Sequence, residues 1–308
     1  MNDKDRVLCW LEMLRRDVQF EDMAQKYGRS AGTWSNEFRD MTIAVQNMPC
    51  LQEVSWPDAA ERAAHADFLQ TYAHPEMPRI AYIADGTMVG MRNPSNVGKG
   101  KQEPHDAVHE NYSGSKGRGS SHTVYCIVRG KIIRVETVRG SMSDRGAHTS
   151  SRVFLELEQF LSPGEVGMGD GNYQGTARSD SNDLMMCVPY KNPSVGSLSI
   201  DARWFNTEQR RFRVVVETTI GQIKKWKTMG NGKAFRHLRT FESKVFNMCA
   251  RLTAPIMRVR DQYPRSKEWI GDTAELWSLG SVFTTTWTKA PRQASSSTTL
   301  RWITCTKR

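Results

Sequence analysis

The chain has 308 residues, enough for one large domain or two modest ones around a real core. Hydrophobic residues make up 38% and 23 glycines add to them, which excludes wholesale disorder. The net charge of +10 points to an anionic partner, but residues 1–202 carry 22 basic and 26 acidic side chains against 21 and 7 in residues 203–308, so a uniformly basic surface is excluded.

The first 48 residues read as helices. Val7, Trp10, Leu11 and Leu14 make an apolar stripe, Phe20 to Tyr27 a second helix ending at Gly28, and Ser30 is placed to cap a third from about Ala31 to Met48. FEDMAQKYGRSAGTWSNEF thus has a helix-turn-helix-like layout. Either the module meets DNA, with Thr33, Trp34 and Asn36 facing the major groove and Arg29 near phosphates, or it is a helical cap. Residues 49–78, with Pro57 and AERAAHADFLQTY, form a helical connector.

From Ile80 the period changes to that of strands. Ile80 to Ala84 reads as a short strand closed by Asp85-Gly86, and Ser121 to Val128 as a central strand apolar on both faces. A tight turn at Arg129-Gly130 leads into Lys131 to Val138. The polar stretch 93–119 reads as a mobile loop. Ser141 to Asp144 has capping-box spacing before a helix in which Phe154, Leu157 and Leu161 recur, with Asp144 as a cap. Two further strands, Val166 to Gly169 and Leu184 to Val188, precede helices over about Asn206 to Met229 and Leu238 to Tyr263. Residues 264–308 read as a basic polar tail.

Six cysteines lie far apart with no CxxC pair, which reads as reduced and mostly buried thiols rather than a zinc ribbon. The charged opening MNDKDR and the lack of an apolar run near eighteen residues predict no membrane partner. HDAVH sets His105 and His109 at i, i+4, but KQEP and NYSG beside it predict loop, which argues against zinc.

Strands, a helix, more strands and then helices indicate a mixed α/β domain. Asp85 and Asp170 close two of its strands, so if those strands are neighbours both carboxylates emerge at one edge. A third acid, Glu217, lies about 100° round its helix from Val216, on the border of the stripe Phe212, Val216, Ile220 and Ile223. Arg210, Arg213 and Lys224 share that border. Three carboxylates so arranged suit two hard cations beside a phosphate chain. The plainer alternative is an Arg213–Glu217 salt bridge at i, i+4 and aspartates that cap turns.

In order, AYIADGT, NYSGSKGRGSSHTVYCIV, RGSMSDRGAH, VGMGDGNYQG, LMMCVPYKNP and FRVVVETTIGQIKKWK resemble the endonuclease domain of PIF/Harbinger-type DDE transposases and the nucleases derived from them. The resemblance runs over about residues 79–229 and implies an RNase H-like mixed sheet with flanking helices, here within 79–263. It assigns the catalytic, metal-holding triad to Asp85, Asp170 and Glu217, with two Mg²⁺ or Mn²⁺ ions. It implies cutting and joining of double-stranded DNA at inverted-repeat ends, with Lys116, Arg118, Arg213, Lys224 and Lys225 at phosphates. Family members commonly have His-Asp where Ser143-Asp144 stands, and many carry arginine at Thr218. Two function classes follow: an active nuclear transposase or nuclease, homo-oligomers included, or a domesticated DNA-binding protein acting with a Myb-like partner. Synthesis in the cytoplasm and work in the nucleus go with both.

Overall fold

The computed structural model describes residues 3–46, 54–71, 73–90, 112–113, 117–127, 130–150, 154, 156, 160–176, 185–230 and 242–262. All lie in Met1–Pro264, the first of the chain's two units. The tail 264–308, the HDAVH segment and Lys116 fall outside the described residues.

Three helices open the chain: α1 (Asp3–Arg16), α2 (Phe20–Tyr27) and α3 (Ala31–Gln46). Gly28 takes a left-handed φ of 71° and its N–H returns to the Ala24 carbonyl, which ends α2. The Ser30 hydroxyl then accepts the Thr33 N–H at 3.1 Å and starts α3. Trp10, Leu14, Met23, Trp34 and Phe38 fill the space between the helices. The connector helix α4 (Ala59–Gln70) is capped by Asp58, which accepts the Glu61 N–H. Arg62 pairs with the buried Glu165 at 3.4 Å and ties α4 to the sheet.

The strands are β1 (Arg79–Gly90), β2 (Tyr112–Ser113), β3 (Gly117–Cys126), β4 (Ile132–Arg139), β5 (Glu165–Met168) and β6 (Met186–Cys187). In the sheet, β3 lies beside β1, then β5, then β6. The outer edge of β3 pairs with β4 and β2. β1, β3 and β4 form an antiparallel meander; β5 and β6 run parallel to β1. The mixed order is that of an RNase H-like α/β fold. Strand residues at 112–113 and 117–119 replace part of the loop expected over 93–119, because the polar segment pairs along β3.

After the sheet's meander come α5 (Asp144–Thr149) and, beyond β6, α6 (Ile200–Ile223), α7 (Lys227–Gly230) and α8 (Glu242–Gln262). Ser143, not Ser141, caps α5, its hydroxyl accepting the Gly146 N–H. Strand β1 is apolar on both faces because it is covered on both. Ile80, Ile83 and Val89 join one core with Val216, Ile220, Phe246 and the N-terminal helices. Ala81, Tyr82 and Ala84 join the other with Tyr125, Phe154, Tyr173 and Met186. Cys9, Cys126, Cys187 and Cys249 are free, buried thiols. Among the described residues no helix is long and apolar enough to cross a membrane.

Candidate active site

Asp85 does not close its strand. β1 continues to Gly90, and Asp85 sits mid-strand opposite Val124 on β3. The Asp-Gly turn signal is overridden because β3 offers a pairing partner for each residue from Gly86 to Gly90. The position still serves as an edge of the parallel part of the sheet. Ile83 pairs with Met168 across β1 and β5, so Asp85 and Asp170 each stand two residues beyond the same rung. Parallel register alone therefore brings the two aspartates level.

Asp170 follows β5 and opens a single 3₁₀ turn, Gly171–Tyr173. Its Oδ1 accepts the Asn172 backbone N–H at 2.9 Å and its Oδ2 accepts the Asn172 side-chain amide at 3.0 Å. The same amide nitrogen donates to Asp144 Oδ2 at 3.1 Å. Asp144 does not cap α5, since Ser143 does; its carboxylate instead lies over Gly86, against the space a Cβ there would fill. Asn172 thus bridges two acids beside Asp85, a role that motif spacing alone did not reveal.

Glu217 comes from α6. The Ser199 hydroxyl caps that helix by accepting the Ala202 N–H, so it starts at Ile200, earlier than the expected Asn206. Phe212, Val216, Ile220 and Ile223 are buried as their spacing predicts. The buried Gln209 donates from its amide to the Gly169 carbonyl at 2.6 Å, which fixes α6 against the turn that carries Asp170. Glu217 remains half-exposed at the stripe's border, its Oε1 3.5 Å from Arg213 Nη2.

The electrostatics join these pieces. The Asp85 carboxyl is raised to about 6: burial is the chief cause, Arg213 and the Gly86 N–H oppose it, and Asp170 and Glu217 add to it. The three acids and Arg213 therefore share one locality. The Tyr173 hydroxyl, fully buried and raised well above its ordinary value, feels Tyr125, Asp144, Asp85 and Asp170 and has no hydrogen-bond partner among the described residues. Among the described residues, no three His, Cys, Asp or Glu side chains form a ready metal cage. The donor set fits a hard divalent cation in its chemistry: all-oxygen ligands, with Asp170 and Glu217 adding to the burial that raises the Asp85 carboxyl.

The expected DNA contacts separate into groups. Arg213 is only 17% exposed and belongs to the acid site rather than to a solvated face. Lys224 caps the end of α6, and Lys225 follows it with its carbonyl accepting from Arg15 at 2.9 Å. Arg118 lies on β3 opposite Tyr112. In the N-terminal module Thr33 and Asn36 are exposed, whereas Arg29 lies over the Trp34 ring at 5.9 Å. Trp34 itself is fully buried, which removes it from any groove-facing surface: its indole fills the helical core.

Residues 84–254 match a family described as DDE superfamily endonuclease. The chain belongs to that family. No curated protein and no solved structure is similar enough to count as a match. The matched span of this DDE endonuclease opens one residue before Asp85 and runs into α8, so Asp85, Asp170 and Glu217 all lie inside it.

Proposed function

We propose that this DDE endonuclease is a PIF/Harbinger-type transposase or a nuclease derived from one, using Asp85, Asp170 and Glu217 to cut and join double-stranded DNA in the nucleus. The shared register of Asp85 and Asp170 across β1 and β5 carries this reading. It is joined by a third acid whose helix is pinned to the Asp170 turn through Gln209.

Asp85, Asp170 and Glu217 would hold Mg²⁺ or Mn²⁺. When bound, such ions activate an attacking water or 3′-hydroxyl and stabilise the leaving oxygen of the phosphodiester. The chain supplies the rest. Asp85 accepts the Gly86 N–H at 2.9 Å, which orients one oxygen and leaves the other for a cation. Asn172 fixes both Asp170 oxygens by its two donors. Arg213 on α6 and Lys224 and Lys225 at and just past its end set positive charge where a phosphate chain would pass, and contribute a salt-sensitive term. Arg29, Thr33 and Asn36 supply a separate candidate DNA contact from the helical module.

The test is metal-dependent nicking or strand joining of inverted-repeat DNA. Asp170→Asn should lower the rate by about 10²-fold or more while circular dichroism and melting stay native. Wild-type rates in that variant would overturn the triad.

A further inference from the structure

We propose that Arg213 is a positioning residue that acts as a resident counter-cation, holding Glu217 away from the cation site until a divalent ion displaces it. This rests on the carboxylate reading above and concerns how the site passes from one charge arrangement to another.

Arg213 stands one helical turn before Glu217, with Nη2 3.5 Å from Glu217 Oε1. An ordinary surface pair of this spacing has two solvated partners. Here the arginine side chain is 17% exposed and the glutamate 51%, so the cation is the inner member. Its Nε is buried and has no hydrogen-bond partner among the described residues. A buried N–H without an acceptor is costly, and a solely structural arginine would be expected to fill it. The guanidinium is held instead by Glu217 on one side and by the field of Asp85 on the other, where it opposes the upward push of Asp170 and Glu217.

With Glu217 paired to Arg213, the described residues hold no ready cage of three acids. Glu217 is half-exposed and turned to Arg213. A divalent cation beside Asp85 and Asp170 would repel the guanidinium at close range and attract Glu217. The step is an exchange of ion pairs, with no covalent bond made or broken: Glu217 leaves Arg213 for the ion. Arg213 is left with its Nη donors released from Glu217 and suited to a phosphate oxygen.

Titration of the full-length chain with Mn²⁺ without DNA, read by electron paramagnetic resonance of free Mn²⁺, tests this. Arg213→Gln should bind Mn²⁺ about two- to fivefold tighter than wild type, because a competing cation is gone. Arg213→Lys should stay within about twofold of wild type, since the charge remains. Single-turnover DNA cleavage by Arg213→Gln should nonetheless fall about tenfold or more. If Arg213→Gln does not fold, Arg213→Met, which keeps the buried stem, carries the same expectation. Unchanged or weaker Mn²⁺ binding in Arg213→Gln, or in Arg213→Met where that variant stands in for it, with binding still lost in Asp85→Asn, overturns the counter-cation role and leaves the carboxylate reading standing. Wild-type protein that binds no Mn²⁺, or Asp85→Asn that binds it as well as wild type, overturns both.

Discussion

Gly86 shows what one missing side chain permits. The Asp144 carboxylate occupies the position a Cβ would take, in reach of Asn172 and hence of Asp170. Gly86→Ala should therefore push Asp144 aside and loosen Asn172, lowering metal-dependent cleavage about tenfold with little change in melting temperature; wild-type cleavage would show that Asp144 is irrelevant to the site. Asn172→Ala removes the side-chain bonds to Asp170 Oδ2 and to Asp144 and leaves the backbone N–H on Asp170 Oδ1, so a loss of about 10-fold is expected in the same assay. The bridging role was not legible from the sequence, which put Asp144 at a cap. Ser143 takes the cap, and that leaves the aspartate at the first helical position, where its carboxylate accepts from Asn172. What lies opposite that carboxylate depends on a sheet register no local pattern encodes. Trp34 failed in the reverse direction: position on a candidate recognition helix suggested exposure, but the bulk of its ring placed it in the core.

At the scale of elements, helix α6 carries the argument. Its apolar stripe was readable because period and burial coincide at Phe212, Val216, Ile220 and Ile223. Its start was missed because the first turn, with Ile200 and Trp204 exposed, lacks an inward face, and the only signal was the capping serine at 199. The adjacency of β1 and β5 likewise entered the sequence reading as a condition and is met by the sheet. Nothing in the sequence marked Gln209 as the link between α6 and the Asp170 turn. Removing it in Gln209→Ala leaves the Gly169 carbonyl buried and unpaired, so urea denaturation should show a loss of about 1–3 kcal/mol. Cleavage should fall as well, since Glu217, two turns further on, loses its alignment with Asp170. Ser199→Ala, at the far end of α6, should cost about 1 kcal/mol and leave cleavage close to wild type. Equal effects of the two variants on cleavage would mean that Gln209 acts on stability alone.

The whole molecule divides its charge: residues 1–202 supply Asp85 and Asp170, and the basic remainder supplies Glu217 beside Arg213. Burial sets how the metal-free protein answers to acid. His122 stacks on Phe246 at 3.9 Å between the Ser120 and Thr137 hydroxyls; burial, then Lys224, lowers it to about 3. His148 lies among Tyr82, Tyr125 and Tyr173, and burial lowers it to about 4. Both are lower than in an unfolded chain, where histidine titrates near 6.5, so the unfolded state takes up protons first and stability falls as pH drops below about 6.5. Asp85 runs the other way. Its carboxyl, raised to about 6 chiefly by burial, is protonated first in the folded state, so stability is regained as pH falls from about 6 toward the ordinary carboxylate range. Two histidines against one carboxyl leave a net loss of up to about 1.4 kcal/mol per pH unit over pH 6 to 4. Calorimetry in EDTA should therefore show a melting temperature that declines through this interval. Asp85→Asn removes the compensating group while keeping its shape, and its decline should be steeper than that of wild type. Parallel profiles would mean that Asp85 is ionised throughout, and that the electrostatic coupling of the three acids is weaker than the geometry implies.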